Sequence, residues 1–66
     1  MNPLSDRQSQ IIKRISEGLS IKEVASELGL SPKTIEEHYK LARNKLGIQT
    51  TAMITRWAIK NGLSEL

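Results

Sequence analysis

A short run of charged residues in the middle of the sequence has the chemistry to bind a partner through hydrogen bonds and charge. The segment KTIEEHYKLARNK, residues 33–45, carries three lysines and an arginine together with two adjacent glutamates. An ammonium group such as that of Lys40 only donates hydrogen bonds, whereas the carboxylates of Glu36 and Glu37 only accept them when ionised. We therefore expect this segment to recognise a polar partner.

The charge of the chain is distributed unevenly. Residues 1–37 hold five basic and six acidic groups, a balance of −1, whereas residues 38–66 hold five basic groups and one acidic group, a balance of +4. Between His38 and Ser64 no acidic residue interrupts the positive charge. This distribution favours a polyanionic partner, and a solvated basic surface is the simpler alternative.

The segment 32–46 is predicted to be a helix with one apolar and one charged face. Ser31 and Pro32 suit the N-cap and the first helical position, and Gly47 suits the end. The predicted buried face consists of apolar residues at helical spacing, namely Ile35, Tyr39, Ala42 and Leu46. The residues left to point outward are Lys33, Glu36, Glu37, Lys40 and Asn44.

A second short helix precedes this one and completes a helix-turn-helix. Ser20 and Glu23 form a capping box that starts a helix over 21–28, and Gly29 supplies the sharp turn. In such a motif the outward face of the second helix enters the major groove of DNA. There, Lys40 can donate to guanine and Glu37 can accept from cytosine.

Other roles are open for some of these residues. Lys33 and Thr34 lie at a helix N-terminus, whose free amides favour phosphate. Glu36 has an alternative role, because it can pair with Lys40 at i, i+4 on a solvated face. His38 could be an ordinary surface or half-buried histidine.

Two further helices complete a predicted all-α, single domain over residues 1–66. Ser5 and Gln8 form a capping box for a helix over about 6–17, and Thr50 or Thr51 caps a last helix over about 51–61. The side of the last helix opposite its core face is unusually apolar for a solvent-facing surface. It is a candidate dimer interface, although scattered exposed apolar residues are also normal. Its members are Ala52, Thr55 and Ile59.

Composition argues against several classes of protein. The chain has no cysteine and one histidine, so we expect no metal site and no cofactor. No apolar run approaches the about 18 residues of a membrane span, and no signal peptide is recognisable, so we expect no membrane association. No glycine-rich phosphate loop and no nucleophile beside a base is evident, which argues against an enzyme.

The motifs LSDRQ, EGLS, SPKTIEEH and KLG resemble the LuxR/GerE-type DNA-binding domain of bacterial transcription regulators, and the resemblance covers the chain from Leu4 to Leu63. The resemblance implies a four-helix fold, with helices two and three as the helix-turn-helix. It also implies a cytoplasmic homodimer, paired through helix four, on an inverted repeat of double-stranded DNA. RNA polymerase or a regulatory protein is a further candidate partner.

The resemblance also assigns individual residues. Base-edge contacts fall on Glu36, Glu37 and Lys40. Phosphate contacts fall on Lys33, Thr34, His38 and Lys45. Two positions depart from the family pattern: Gln8 stands where glutamate is common, and Thr50-Thr51 replaces an arginine-bearing start of helix four.

Two alternatives use the same fold. Region 4 of a sigma factor resembles LSDRQ, EGLSIKEVASELG and ARNKL, but it would end near Leu46, whereas another amphipathic helix follows here. A protein-interaction module would use helix four for docking and have no affinity for duplex DNA. The position of Met1 directly before the folded sequence favours a naturally short protein, and a fragment of a longer regulator is the alternative.

Overall fold

Over residues 3–63 the fold consists of four α-helices joined by short turns. The computed structural model describes residues 3–63, and within that range it contains no strand. The helices are α1 (Asp6–Ser16), α2 (Ile21–Leu28), α3 (Pro32–Leu46) and α4 (Thr51–Lys60). The predicted all-α, four-helix fold is therefore confirmed. Two ends differ from the predicted ranges by one residue, because Glu17 and Asn61 are the C-caps of α1 and α4.

Capping boxes define where α1 and α2 begin. At α1 the backbone N–H of Gln8 donates to Ser5 Oγ at 3.1 Å, and the backbone N–H of Ser5 donates to Gln8 Oε1 at 3.0 Å. At α2 the reciprocal bonds between Ser20 and Glu23 measure 3.2 and 2.9 Å. Each box satisfies two backbone donors that a helix start would otherwise leave without partners.

The turn between α2 and α3 depends on the left-handed backbone of Gly29. Its φ angle is +67°, a conformation that residues with a Cβ rarely adopt. A Cβ placed there would meet no atom within 4 Å, so the backbone angle and not space requires glycine. The N–H of Leu30 then donates to Ala25 O at 3.0 Å, which closes the end of α2. Ser31 caps α3 directly afterwards.

Among the described residues the core has two clusters, and α1 contributes to both. Adjacent residues of α1 divide between them: Ile12 packs with Leu4, Ala42 and the α4 residues Ile54 and Ala58. The second cluster packs α1 against the helix-turn-helix and contains Ile11, Ile15, Val24, Ala25 and Ile35. Tyr39 of α3 packs against both clusters, so both hold α3 in place.

Helix α4 packs on α1 as an integral part of the domain. Ile54 and Ala58 are fully buried, and Leu63 packs against the same cluster beyond the end of the helix. The hydroxyl groups of Tyr39 and Thr51 lie 3.1 Å apart and join α3 to the start of α4. Within residues 3–63, no helix is long and apolar enough to cross a membrane.

Candidate nucleic-acid interface

The outward face of α3 is a row of exposed polar side chains. Ile35 and Ala42, on the opposite side of the helix, are fully buried in the core, so the polar positions face solvent. The three predicted base-edge residues share this exposed face with Lys33 and Asn44. The structure therefore brings Glu36, Glu37 and Lys40 together on one accessible surface.

These charged groups are not neutralised within the domain. In the described range, ion pairs join Lys13 to Glu17 and Arg14 to both Glu17 and Glu27, and none includes a residue of α3. The alternative pairing of Glu36 with Lys40 is thus not formed. Their side chains are available for a partner.

The start of α3 offers one free backbone donor beside a lysine. Pro32 has no N–H, the N–H of Thr34 donates to Ser31 Oγ at 3.1 Å, and that of Ile35 donates to Ser31 O. The N–H of Lys33 has no acceptor among residues 3–63. The Thr34 hydroxyl lies 2.9 Å from that of Ser31 and so belongs to the cap. A free amide and an exposed ammonium at a helix N-terminus are suited to an anion.

The other two predicted phosphate contacts lie away from the centre of this face. The Nζ atom of Lys45 donates to Oε1 of Gln8 at 3.0 Å, which ties the end of α3 to α1. His38 is half-buried. At about 100° per residue these two positions project to one flank of α3, on the side where Lys45 meets α1.

Arg43 has a structural role that the sequence reasoning missed. Its guanidinium carbon lies 5.0 Å from the centre of the Tyr39 ring, and its Nη1 donates to Gln49 O at 3.3 Å. Its Nε atom is buried and has no hydrogen-bond partner within residues 3–63. The i, i+4 spacing of Tyr39 and Arg43 is the sequence signal for the ring contact. The hydrogen bond to Gln49 O joins the end of α3 to the turn before α4.

Three large apolar side chains remain exposed in the described range. Leu41 lies on α3 and is 52% exposed, whereas Met53 and Ile59 lie on α4 and are 50% and 41% exposed. Sequence reasoning singled out only Ile59. Leu41 could have been found, because helical spacing places it outside the apolar stripe of α3.

The predicted dimer surface on α4 is exposed in part. Ala52 and Ile59 are exposed, whereas Thr55 is half-buried and its hydroxyl donates to Thr51 O at 3.0 Å. A shallow groove beside Ile59 is lined by Arg56, Trp57 and Lys60. Met53 projects about 100° from Ala52 and so belongs to another side of the helix.

The carboxyl groups whose pKa is lowered lie outside α3, at the end of α1 and in the first turn of α2. A hydrogen bond from Lys13 lowers the pKa of Glu17, and the backbone N–H of Ser20 lowers the pKa of Glu23. Within residues 3–63, no group of His, Cys, Asp or Glu side chains is placed to hold a metal ion.

Comparison with known proteins gives a consistent set of relatives. The GerE profile, described as bacterial regulatory proteins of the luxR family, matches residues 2–58. Transcriptional regulatory protein UhpA of Escherichia coli K12 is 38% identical over 55 residues, covering 83% of this chain and 28% of the relative. Transcriptional regulatory protein MctR of Rhizobium johnstonii is 42% identical over 62 residues, covering 94% of this chain and 29% of the relative. The response regulator UvrY of Escherichia coli K12 is 37% identical over 60 residues. The chain spans less than a third of the length of these relatives.

Proposed function

Because this chain belongs to the luxR family of bacterial regulatory proteins, we propose that it binds double-stranded DNA as the DNA-binding domain of a transcription regulator. Family membership confirms the resemblance predicted from the sequence. The names of UhpA and MctR describe transcriptional regulators, a role that is not enzymatic. In this proposal the domain acts in the bacterial cytoplasm, where α3 enters the major groove as the recognition helix.

The observation that carries the proposal is the exposed and ion-pair-free face of α3. Glu36, Glu37 and Lys40 present acceptors and a donor to base edges, and Lys33 with its free amide meets a phosphate at the start of the helix. Thr34, His38 and Lys45 complete the proposed phosphate contacts. The two core clusters fix α3 on the domain, so the partner meets a preformed surface.

We further propose that two copies bind an inverted repeat and pair through α4. The support is the exposed apolar surface of Ala52 and Ile59, with Thr55 between them along the helix. A twofold dimer of such domains matches two half-sites about one helical turn apart. RNA polymerase or a regulatory protein would then meet a surface that remains free on the DNA-bound dimer.

The test is binding to a pool of random duplex DNA at increasing salt, with sequencing of the duplexes retained at each step. Enrichment of a palindrome is expected, with half-sites about one helical turn apart. Enrichment of a single half-site would support sequence-specific DNA binding and contradict the proposed dimer. If no duplex is retained at low salt, the DNA-binding proposal is wrong.

A matched pair of variants tests which helix carries the recognition. Lys40→Ala removes a donor from the outward face of α3 and is expected to relax base preference at the position that Lys40 contacts, about tenfold or more. Lys22→Ala removes an exposed lysine from α2 and is expected to enrich the same sequence as the unmodified protein. Identical base preferences for both variants would contradict the assignment of Lys40 as a base contact.

A further inference from the structure

Leu41 is the most exposed of the large apolar side chains in the described range, at 52%. It lies on α3, next to Lys40 and one turn after Glu37. At about 100° per residue, Leu41 and Glu37 project within about 40° of each other. An apolar side chain thus stands on the same outward face as the residues proposed to contact base edges.

The surroundings of Leu41 limit what it can contact. The other two exposed large apolar side chains of the described range are on α4, so Leu41 is a single apolar side chain among the polar and charged positions of α3. Protein-binding surfaces are usually contiguous apolar patches of several hundred Å².

A duplex offers Leu41 one matching group. The C5-methyl group of thymine is the apolar group that base pairs present in the major groove, and apolar side chains recognise it by contact. A helix that places Lys40 and Glu37 at base edges also places Leu41 at the same depth in the major groove. The basic side chains nearby are complementary to the phosphates that flank the groove.

We propose that Leu41 determines specificity by contacting a thymine methyl group in each half-site, next to the base pair that Lys40 contacts. This inference rests on the proposed DNA binding. It adds an apolar contact to the hydrogen bonds assigned to Glu36, Glu37 and Lys40. It also gives an exposed leucine, otherwise unfavourable in water, a partner on the DNA.

The experiment replaces each thymine of the selected duplex by deoxyuridine, one position of the half-site at a time. This substitution removes only the methyl group and leaves the base-pair hydrogen bonds unchanged. For the unmodified protein, one position per half-site is expected to weaken binding about fourfold, the value of one buried methyl group. Leu41→Ala is expected to bind thymine and deoxyuridine equally at that position.

Two controls separate this role from a structural one. Leu41→Ala alters an exposed side chain, so helix content and the urea midpoint are expected to match those of the unmodified protein. Met53→Ala truncates a similarly exposed side chain on α4. This variant is expected to keep the fourfold difference in affinity between the thymine and deoxyuridine duplexes.

The outcomes distinguish the two proposals. A scan in which no deoxyuridine weakens binding by the unmodified protein overturns the role of Leu41, while retention of the duplex leaves DNA binding intact. The role of Leu41 is also overturned if Leu41→Ala and the unmodified protein show the same ratio of affinities for the thymine and deoxyuridine duplexes. If the unmodified duplex is not retained at all, both proposals are wrong.

Discussion

Lys45 and Gln8, 37 residues apart in the chain, join the end of α3 to the beginning of α1 through a hydrogen bond of 3.0 Å. Gln8 Oε1 also accepts from the backbone N–H of Ser5, so one amide oxygen serves both the capping box and the contact between helices. Gln8 is only 6% exposed. The start of α1 and a proposed phosphate ligand are therefore coupled through one side chain.

Truncation of Gln8 should destabilise the domain. Gln8→Ala removes the acceptor for Ser5 N–H and for Lys45 Nζ, and we expect the free energy of unfolding to fall by about 1–2 kcal/mol. Urea denaturation followed by circular dichroism measures the change. Gln10→Ala, at an exposed position of α1, is the matched control and should cost much less. Equal losses in the two variants would show that the hydrogen bonds of Gln8 contribute nothing specific.

Lys45 should contribute charge to DNA binding without reading sequence. If it neutralises one phosphate, Lys45→Gln lowers the slope of log affinity against log salt by about 1 and weakens all sequences similarly. The measurement is fluorescence anisotropy with the selected duplex and a scrambled duplex at several salt concentrations. Lys22→Gln on α2 should leave the slope unchanged. An unchanged slope for Lys45→Gln would mean that its bond to Gln8 is its whole role.

The sequence predicted the helix-turn-helix well because its determinants are local. The Ser20–Glu23 capping box, the turn at Gly29 and the Ser31 cap each depend on residues within a few positions of one another. Helical spacing then separates the buried side of α3 from the exposed side. These signals do not require knowledge of how the helices dock.

Contacts between distant segments were not predictable in the same way. The Lys45–Gln8 bond depends on the docking of α3 against α1, which no local pattern encodes. The link from Tyr39 to Thr51 likewise depends on the path of the chain after Gly47. Arg43 was counted for its charge alone, although its contact with the Tyr39 ring follows helical spacing. The roles of the individual residues on DNA stay predictions.

The two capping boxes should respond differently to acid. Glu23 accepts from the Ser20 backbone N–H, which lowers the pKa of its carboxyl group, whereas Gln8 in the other box has no titrating group. A lower pKa in the folded state means that this stabilisation is complete above the unfolded value of about 4.3 and is lost as pH falls through the folded value. Glu23→Gln keeps an acceptor oxygen and should flatten the pH dependence of stability below about pH 5.

Urea midpoints measured between about pH 3 and pH 7 test this difference. Some acid sensitivity should remain in Glu23→Gln, because Lys13 also lowers the pKa of Glu17. Ser20→Ala removes the hydroxyl group whose hydrogen bond also lowers the pKa of Glu23, and it should give an intermediate response. If Glu23→Gln loses stability with falling pH as steeply as the unmodified protein, the Glu23 carboxylate is not the cause of the acid sensitivity.

Glu37 should lower non-specific affinity and sharpen base preference. Its exposed carboxylate repels the phosphates along the groove, and that repulsion is offset only where a cytosine amino group donates to it. Glu37→Ala should therefore bind scrambled duplex more tightly and lose about tenfold discrimination at one base pair of each half-site. Repeating the selection with the variant and comparing base frequencies at each position measures both effects.

Glu36→Ala is the matched comparison, because it removes the same charge from the adjacent position of α3. Both variants should gain affinity for scrambled duplex by a similar factor, since that gain reflects charge alone. Adjacent residues project about 100° apart on a helix, so the two carboxylates cannot contact the same base pair in the same way. Loss of preference at different positions in the two variants would assign each glutamate to its own base pair. Glu37→Ala could instead bind scrambled duplex more tightly while the base frequencies stay unchanged. In that case Glu37 acts only through its charge, and the proposed contact with cytosine is wrong.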